Sequence, residues 1–335
     1  MSNPLVSVCM ITYNHGPFVA EAIRGVLGQQ TNFPFELIIG EDCSTDNTRN
    51  VVLEYRDRHP DIVKVITSEQ NVGMNANAAR VKAACKGKYL AFCEGDDYWH
   101  DPKKLQVQVE YLESHPECAL VLADCDVLVN DSGRKIEGFN SRRGHGERLE
   151  LRLDDDFFYG KGPKYFTCTA VVRRDLCQAL IERDPYLHAS ATFLMGDVQL
   201  WAEIALLSQV VYMPESLATY RVVAESASNS RDKMKRLRFN RSCNEMILYL
   251  AGKHGLSERV IGRAEKDLSS TLLRMAYYGR KPDLLGDARK LRGKMSVRDY
   301  VFYCGAKSSA IYYVTRPFLY LLSRLVRNRD ASDYI

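Results

Sequence analysis

The residues in this chain best suited to chemistry are two acidic clusters, Glu41-Asp42 and Glu94-Gly95-Asp96-Asp97. Each follows an apolar run, Phe35 to Ile39 and Tyr89 to Cys93, short enough to be a buried strand. Carboxylates crowded at neighbouring strand ends repel one another unless a proton, a cation or hydrogen-bond donors neutralise them. Hard oxygen ligands with few histidines nearby suit Mg²⁺ or Mn²⁺, and such ions are commonly held by one or two carboxylates plus substrate phosphates. The alternative for each acid alone is a solvated cap in a polar loop.

The elements that must position these acids alternate. Leu5 to Thr12 is a first apolar strand, and Phe18, Val19, Ala22, Ile23, Val26 and Leu27 then share one helical face behind Pro17. Phe35 to Ile39 is followed by Ser44-Thr45-Asp46, capping residues for a helix to about His59. A strand at Ile62 to Ile66, a helix over Asn75 to Lys86 and the strand at Tyr89 to Cys93 continue the pattern. Beyond Asp101-Pro102 come a helix over Lys104 to Ser114, a strand at Ala119 to Ala123 and an exposed loop from Asn130 to Gly146. Thr167 to Val172 reads as a strand, Asp197 to Leu207 as a helix, Gln209 to Met213 as a strand and Pro214 to Tyr220 as a turn with a short extension. The repeated βα pattern predicts an α/β fold with a mostly parallel sheet flanked by helices, whose ligands bind beyond the carboxyl ends of its strands.

Composition narrows the function. The 335 residues, 46% hydrophobic and 26% charged, are those of a globular protein with one large domain or two moderate ones. No apolar run reaches the length of a membrane span. The ten cysteines show no CxxC pair and suit reduced core thiols in a cytosolic protein. No GxGxxG or GxxxxGK[ST] follows the first strand, where Thr12-Tyr13-Asn14-His15-Gly16-Pro17 stands, which counts against dinucleotide oxidoreductases and P-loop NTPases. The net charge of +4 conceals an acidic front, −9 over residues 1–230, and a basic tail, +13 over 231–335. An acidic front is no nucleic-acid surface, whereas the tail could meet anionic phosphates of RNA, a partner or a membrane leaflet.

Four ordered segments, Ser7 to Asn14, Glu41 to Thr48, Asn71-Val72-Gly73, and Cys93 to Trp99 before Asp101-Pro102-Lys103-Lys104-Leu105, resemble the motifs of family 2 glycosyltransferases over roughly residues 4–225. The resemblance implies a GT-A, Rossmann-like fold, a nucleotide-diphosphate sugar donor, a divalent cation (Mg²⁺ or Mn²⁺) and transfer with inversion to a glycan or lipid-linked acceptor, as in bacterial cell-surface polysaccharide synthesis. It places Thr12, Tyr13 and Asn14 along the nucleoside pocket, and Asp42, with Glu41, as acceptor for the base. Glu94 and Asp96 match the family's Asp-x-Asp motif, Asp96 being the expected metal ligand and Glu94 or Asp97 touching the metal, the ribose or water. Asn71 and Arg80 lie in the segment that commonly closes over the donor. Glu replaces the usual Asp at 41 and 94, and Val223 stands where a histidine often follows Tyr220-Arg221. Direct displacement also needs a general base away from the metal. Asp197 matches the place where relatives carry an acid at a helix start, where it also serves as an N-cap.

Two domains are expected, a GT-A domain over 1–228 and a basic helical region over 229–335. On a helical wheel Ile311, Val314, Phe318, Leu321, Leu322 and Leu325 share one side, with Arg316, Arg324 and Arg327 opposite. Peripheral membrane contact through 308–328, at the cytoplasmic face, competes with packing of that side on the catalytic domain or on a second subunit. Pro317 is expected to divide the helix, and oligomeric state stays open. The rival functions are a sugar-nucleotide-binding module without transfer activity and a nucleotidyltransferase, which would want a basic glycine-rich loop after the first strand.

Overall fold

Apolar runs buried on both faces build a sheet whose first half is parallel. The computed structural model describes residues 3–151, 155–159, 162–190, 192–223, 232–291 and 295–330, without the side chains of 155–156 and 320–330. The chain forms two compact units, one of Met1–Thr192 with Gly196–Val223, the other of Phe193–Met195 with Ala224–Ile335. The expected boundary at 228/229 lies outside the described residues.

In the first unit β1 (Val6–Thr12), α1 (Val19–Leu27), β2 (Phe35–Glu41), α2 (Thr48–Arg58), β3 (Val63–Ile66), α3 (Met74–Ala84) and β4 (Tyr89–Phe92) alternate as expected. They are followed by β5 (Tyr98–Trp99), α4 (Lys104–Ser114), β6 (Cys118–Val129), β7 (Arg134–Ile136), β8 (Leu149–Leu151) and α5 (Asp155–Tyr159). Then come β9 (Val171–Arg173), α6 (Arg174–Arg183), α7 (Pro185–His188), α8 (Val198–Leu207) and β10 (Gln209–Val222). The main sheet path is β3-β2-β1-β4-β9-β6-β10-β5, with β7 on β6 and β8 on β10. It is a mostly parallel mixed sheet with flanking helices, the GT-A architecture. β1 is paired in parallel to β2 on one side and to β4 on the other. Val8, Met10, Leu37, Ile39 and Ala91 are sealed in the core beneath α1 and its neighbours, and burial of this kind is the main force holding such a fold.

Three local expectations are corrected. Residues 130–146 are not simply an exposed loop: β7 pairs with β6, and Phe139 and Asn140 are buried because Asp124 accepts the amides of Asn140 and Ser141. Thr167 to Val172 is not one strand but a short 3₁₀ turn, Thr167–Thr169, leading into β9, which runs antiparallel to β4 and β6. The turn expected at Pro214 to Tyr220 is absorbed into β10, which accommodates it through register shifts against β6.

The second unit contains α9 (Lys233–His254), α10 (Glu258–Gly279), α11 (Leu284–Lys290), α12 (Val297–Lys307) and α13 (Ser309–Asp330). Tyr277, Phe302, Tyr312 and Leu319 form part of its core. Gly305 lets α12 approach α10 closely, since a Cβ there would lie 2.3 Å from Tyr277. Pro317 lies inside α13 without ending it, contrary to expectation. Ile311 (40% exposed), Val314 (77%) and Phe318 (63%) are exposed, so this part of the apolar side is not buried against the described residues of its own helical unit. The rest of that wheel, Leu321 to Arg327, lies among the undescribed side chains. No helix among the described residues is long and apolar enough to cross a membrane.

Candidate active site

The two acidic clusters leave the sheet on either side of β1. The Asp42 amide donates to the Thr12 carbonyl at 3.1 Å, and the Gly95 amide donates to the Ile11 carbonyl at 3.0 Å. Parallel pairing therefore puts both clusters at one edge of the sheet, as the strand order requires. Gly95 is needed there: a Cβ would lie 2.5 Å from Thr12 Oγ1 and 2.9 Å from His15 Nδ1.

On the β2 side the acids organise loops. Glu41, fully buried, accepts the Ser44 amide and pairs with Arg49. Burial alone would raise its carboxyl, but Ser44 and Arg49 outweigh that and hold it below the usual range. Asp42, 2% exposed, accepts the amides of Val72 and Gly73, each at 2.9 Å, and lies 3.6 Å from Arg80. Arg80 also donates to the carbonyls of Thr67 and Glu41, while Asn71 donates to the Asp42 carbonyl. These four residues thus fix the segment 71–73 against the sheet. Asn14, in the left-handed region at φ 54°, accepts the Thr45 amide and so latches the β1 loop to the β2 loop. Tyr13 stands beside it, 41% exposed.

On the β4 side the acids are short of partners. Glu94 Oε2 is sealed from solvent with no hydrogen bond. Burial, then Asp96 and Asp197, push the Glu94 carboxyl up to about 8. Asp97, 4% exposed, accepts the Arg221 amide at 2.8 Å, yet burial and the charges of Asp96 and Glu94 keep its carboxyl well above the usual range. Asp96 is the more open acid, its side chain 19% exposed and 3.9 Å from His15 Nδ1. Buried Thr12 Oγ1 and His15 Nδ1 accept or donate no hydrogen bond either. Unsatisfied polar atoms gathered at one end of the sheet are what a ligand with polar groups would satisfy.

Asp197 stands at the start of α8, within electrostatic reach of Glu94. Its Oδ1 caps the Val198 amide, and Thr167 donates its hydroxyl to Oδ2. Its charge acts on Glu94 directly, so Asp197, far along the chain from the Glu94-Gly95-Asp96 motif, shares one electrostatic site with Glu94 and Asp96. Other polar and aromatic residues near the motifs are structural. Arg221, 7% exposed, pairs with Glu21 and donates to the Asp96 carbonyl. His100 bonds Thr219 and the Ser216 carbonyl, and His188 is buried against Glu203. Trp99 and Trp201 are both core residues.

The family profile described as Glycosyl transferase family 2 matches residues 7–181. The chain belongs to glycosyl transferase family 2. An uncharacterized protein of Mycobacterium tuberculosis is 31% identical over 297 residues, covering 86% of this chain and 79% of that protein. A Bacillus subtilis protein described as a putative teichuronic acid biosynthesis glycosyltransferase is 29% identical, covering 69% of this chain and 84% of its own. Among solved structures, a Pyrobaculum calidifontis mannosyltransferase in complex with GDP-Man and Mn²⁺ superposes with a TM-score of 0.54 at 14% identity, covering 94% of this chain and 87% of that one.

The residues present in this family 2 chain fit a divalent cation at Asp96 and Glu94. A sealed, unpartnered carboxylate oxygen at Glu94 beside an open carboxylate at Asp96 is a hard donor set. Among the described residues no group of three His, Cys, Asp or Glu side chains encloses a metal site unaided. Sequence reasoning missed Thr167, for which one residue gave no signal. It also missed Asp124 and Asp126, whose spacing of two puts both on one face of β6, where they anchor residues 138–141.

Proposed function

We propose that this chain is an inverting, metal-dependent glycosyltransferase that moves a sugar from a nucleotide-diphosphate donor to a hydroxyl of a glycan or lipid-linked acceptor. The observation that carries this reading is the shared site of Glu94, Asp96 and Asp197. Thr12, Tyr13 and Asn14 line the nucleoside pocket, and Glu41, Asp42, Asn71 and Arg80 shape its far wall by fixing the loops around them. Asp96 and Glu94 would hold Mg²⁺ or Mn²⁺, with buried Asp97 supporting the motif. A divalent cation bound there supplies positive charge for the departing diphosphate.

Asp197 takes the proton of the acceptor hydroxyl as its oxygen bonds to the anomeric carbon. The bond from that carbon to the diphosphate oxygen breaks on the opposite face, and the nucleotide leaves with the electron pair, inverting the centre. A relative named for teichuronic acid biosynthesis supports a role in cell-surface polysaccharide assembly.

On this reading residues 1–228 are the catalytic domain, and 229–335 bring it to its acceptor. Peripheral contact of 308–328 with the cytoplasmic leaflet is supported by the solvent-facing Ile311, Val314 and Phe318. Every exposed charge described between Met295 and Leu319 is basic: Arg298, Lys307 and Arg316. The test of the enzymatic reading is a thermal-shift screen of UDP- and GDP-sugars with and without Mn²⁺, followed by assay of nucleotide release. Stabilisation requiring both components is expected; a chain that binds a sugar nucleotide but transfers to no acceptor would be the binding module instead.

A further inference from the structure

The turn Thr167–Thr169 is tied at one end to Asp197 and at the other to the strand that carries Glu94. The Thr167 hydroxyl donates to Asp197 Oδ2. One residue on, the Cys168 carbonyl accepts from the Trp99 indole at 2.9 Å, and the Thr169 carbonyl accepts from Gln108 Nε2 at 2.8 Å. The Ala170 carbonyl accepts the amide of Phe92, at the end of β4. Cys168 and Thr169 are fully buried, so this short turn is anchored in the core directly behind the acidic motif.

We propose that Thr167 is a positioning residue that sets the Asp197 carboxylate at a fixed place relative to Glu94 and Asp96. The proposal rests on the reading of Asp197 as the base. A carboxylate has about four acceptor positions; the Val198 amide takes one on Oδ1 and the Thr167 hydroxyl one on Oδ2. Held through both oxygens, the group cannot swing about its side-chain bonds, and its remaining lone pairs point one way. The capping amide alone belongs to α8 and would move with that helix. Among the described residues, the Thr167 contact is what ties the carboxylate, through the turn and the Ala170 carbonyl, to the end of β4, after which Glu94 and Asp96 follow. Proton removal needs a base within hydrogen-bond reach of the attacking oxygen while the diphosphate departs from the other face, so the separation between these two groups is what the turn gauges.

Crystals of the full chain carrying Thr167→Val should show the Asp197 carboxylate rotated away from residue 167, whereas Thr167→Ser crystals should retain it. If the valine variant does not fold, Thr167→Ala gives the same comparison. With whichever of UDP-GlcNAc and GDP-Man the unmodified enzyme turns over in Mn²⁺, Thr167→Val should lower kcat about 10- to 100-fold and leave donor KM within about twofold. Thr167→Ser should restore kcat, and Thr167→Val should cost nothing further in an Asp197→Asn background. An unmoved carboxylate, or an equal loss in the Asp197→Asn background, overturns the positioning role. An Asp197→Asn enzyme with full transfer activity would instead remove the base assignment, whereas an inactive Asp197→Asn beside an unaffected Thr167→Val removes only the role of Thr167.

Discussion

Asp197 lies close enough to Glu94 for its negative charge to help hold a proton on the Glu94 carboxyl. One acid comes from the end of β4 and the other from the start of α8, so the sheet and a following helix build the site jointly. If Asp197 is the base, Asp197→Asn should lower kcat by about 10²- to 10⁴-fold, the usual worth of a positioned base. Donor affinity by calorimetry should stay unchanged, and a parallel loss of donor binding would reassign Asp197 to the donor pocket.

The cation should compete with a proton at Glu94. The folded carboxyl, pushed from 4.5 to about 8, holds a proton that the unfolded chain has lost between those values. Stability of the metal-free chain should therefore fall as pH rises through that window. Mn²⁺ should bind more tightly at pH 8.5 than at pH 6, restoring the melting temperature most at the higher pH. Asp96→Ala should abolish the Mn²⁺-dependent part of the shift, and an Asp96→Ala chain that keeps it would exclude that residue as a ligand.

Lys104 should leave a separate signature. Its ammonium group is fully buried, bonded to Gln108 Oε1 at 2.7 Å and lying 4.3 Å over the Trp99 ring. Burial lowers it from 10.5 to about 7. Between those values the unfolded chain binds the extra proton, so stability gained from this group rises with pH by up to about 1.4 kcal/mol per pH unit. Lys104→Met should be more stable relative to the parent at pH 6 than at pH 9. Denaturation curves with the same pH dependence in both chains would refute this.

Binding to lipid can be read by sedimentation with vesicles. Vesicles rich in phosphatidylglycerol should carry the full chain down at low salt, and pure phosphatidylcholine vesicles should carry little. Replacing Val314 and Phe318 together by Asp should release the protein, since each now exposes apolar surface. Unchanged sedimentation, or a parent chain that forms dimers lost in the double variant, would assign the stripe to a second copy.

Much of the site's scaffold was legible because its strands are short, continuously apolar and followed at once by acids. Phe35 to Ile39 and Tyr89 to Cys93 had to be buried, and their acids had to emerge at carboxyl ends. The helix Lys104–Ser114 was equally readable, bounded by Asp101-Pro102 and a polar stop. The failures have a common cause. Thr167 to Val172 looked like a strand because its residues are small and apolar, but the carbonyls of Cys168 and Thr169 accept from Trp99 and Gln108, partners that local pattern does not contain. Residues 130–146 looked like loop because their polar groups find Asp124 and Asp126 only in the folded sheet.

The sequence by itself determined which acids are available, that they follow strands of a βα repeat, and that the tail is basic and amphipathic, since residue type and periodicity are local properties. Tertiary structure decided how those acids differ. Parallel pairing of β1 with β2 and β4 brought the clusters to one edge, yet only three-dimensional neighbours gave Glu41 and Asp42 donors while leaving one carboxylate oxygen of Glu94 without any. Charge, desolvation and hydrogen bonding act through space, so acids of one type became loop anchors on one side of β1 and a candidate reactive site on the other.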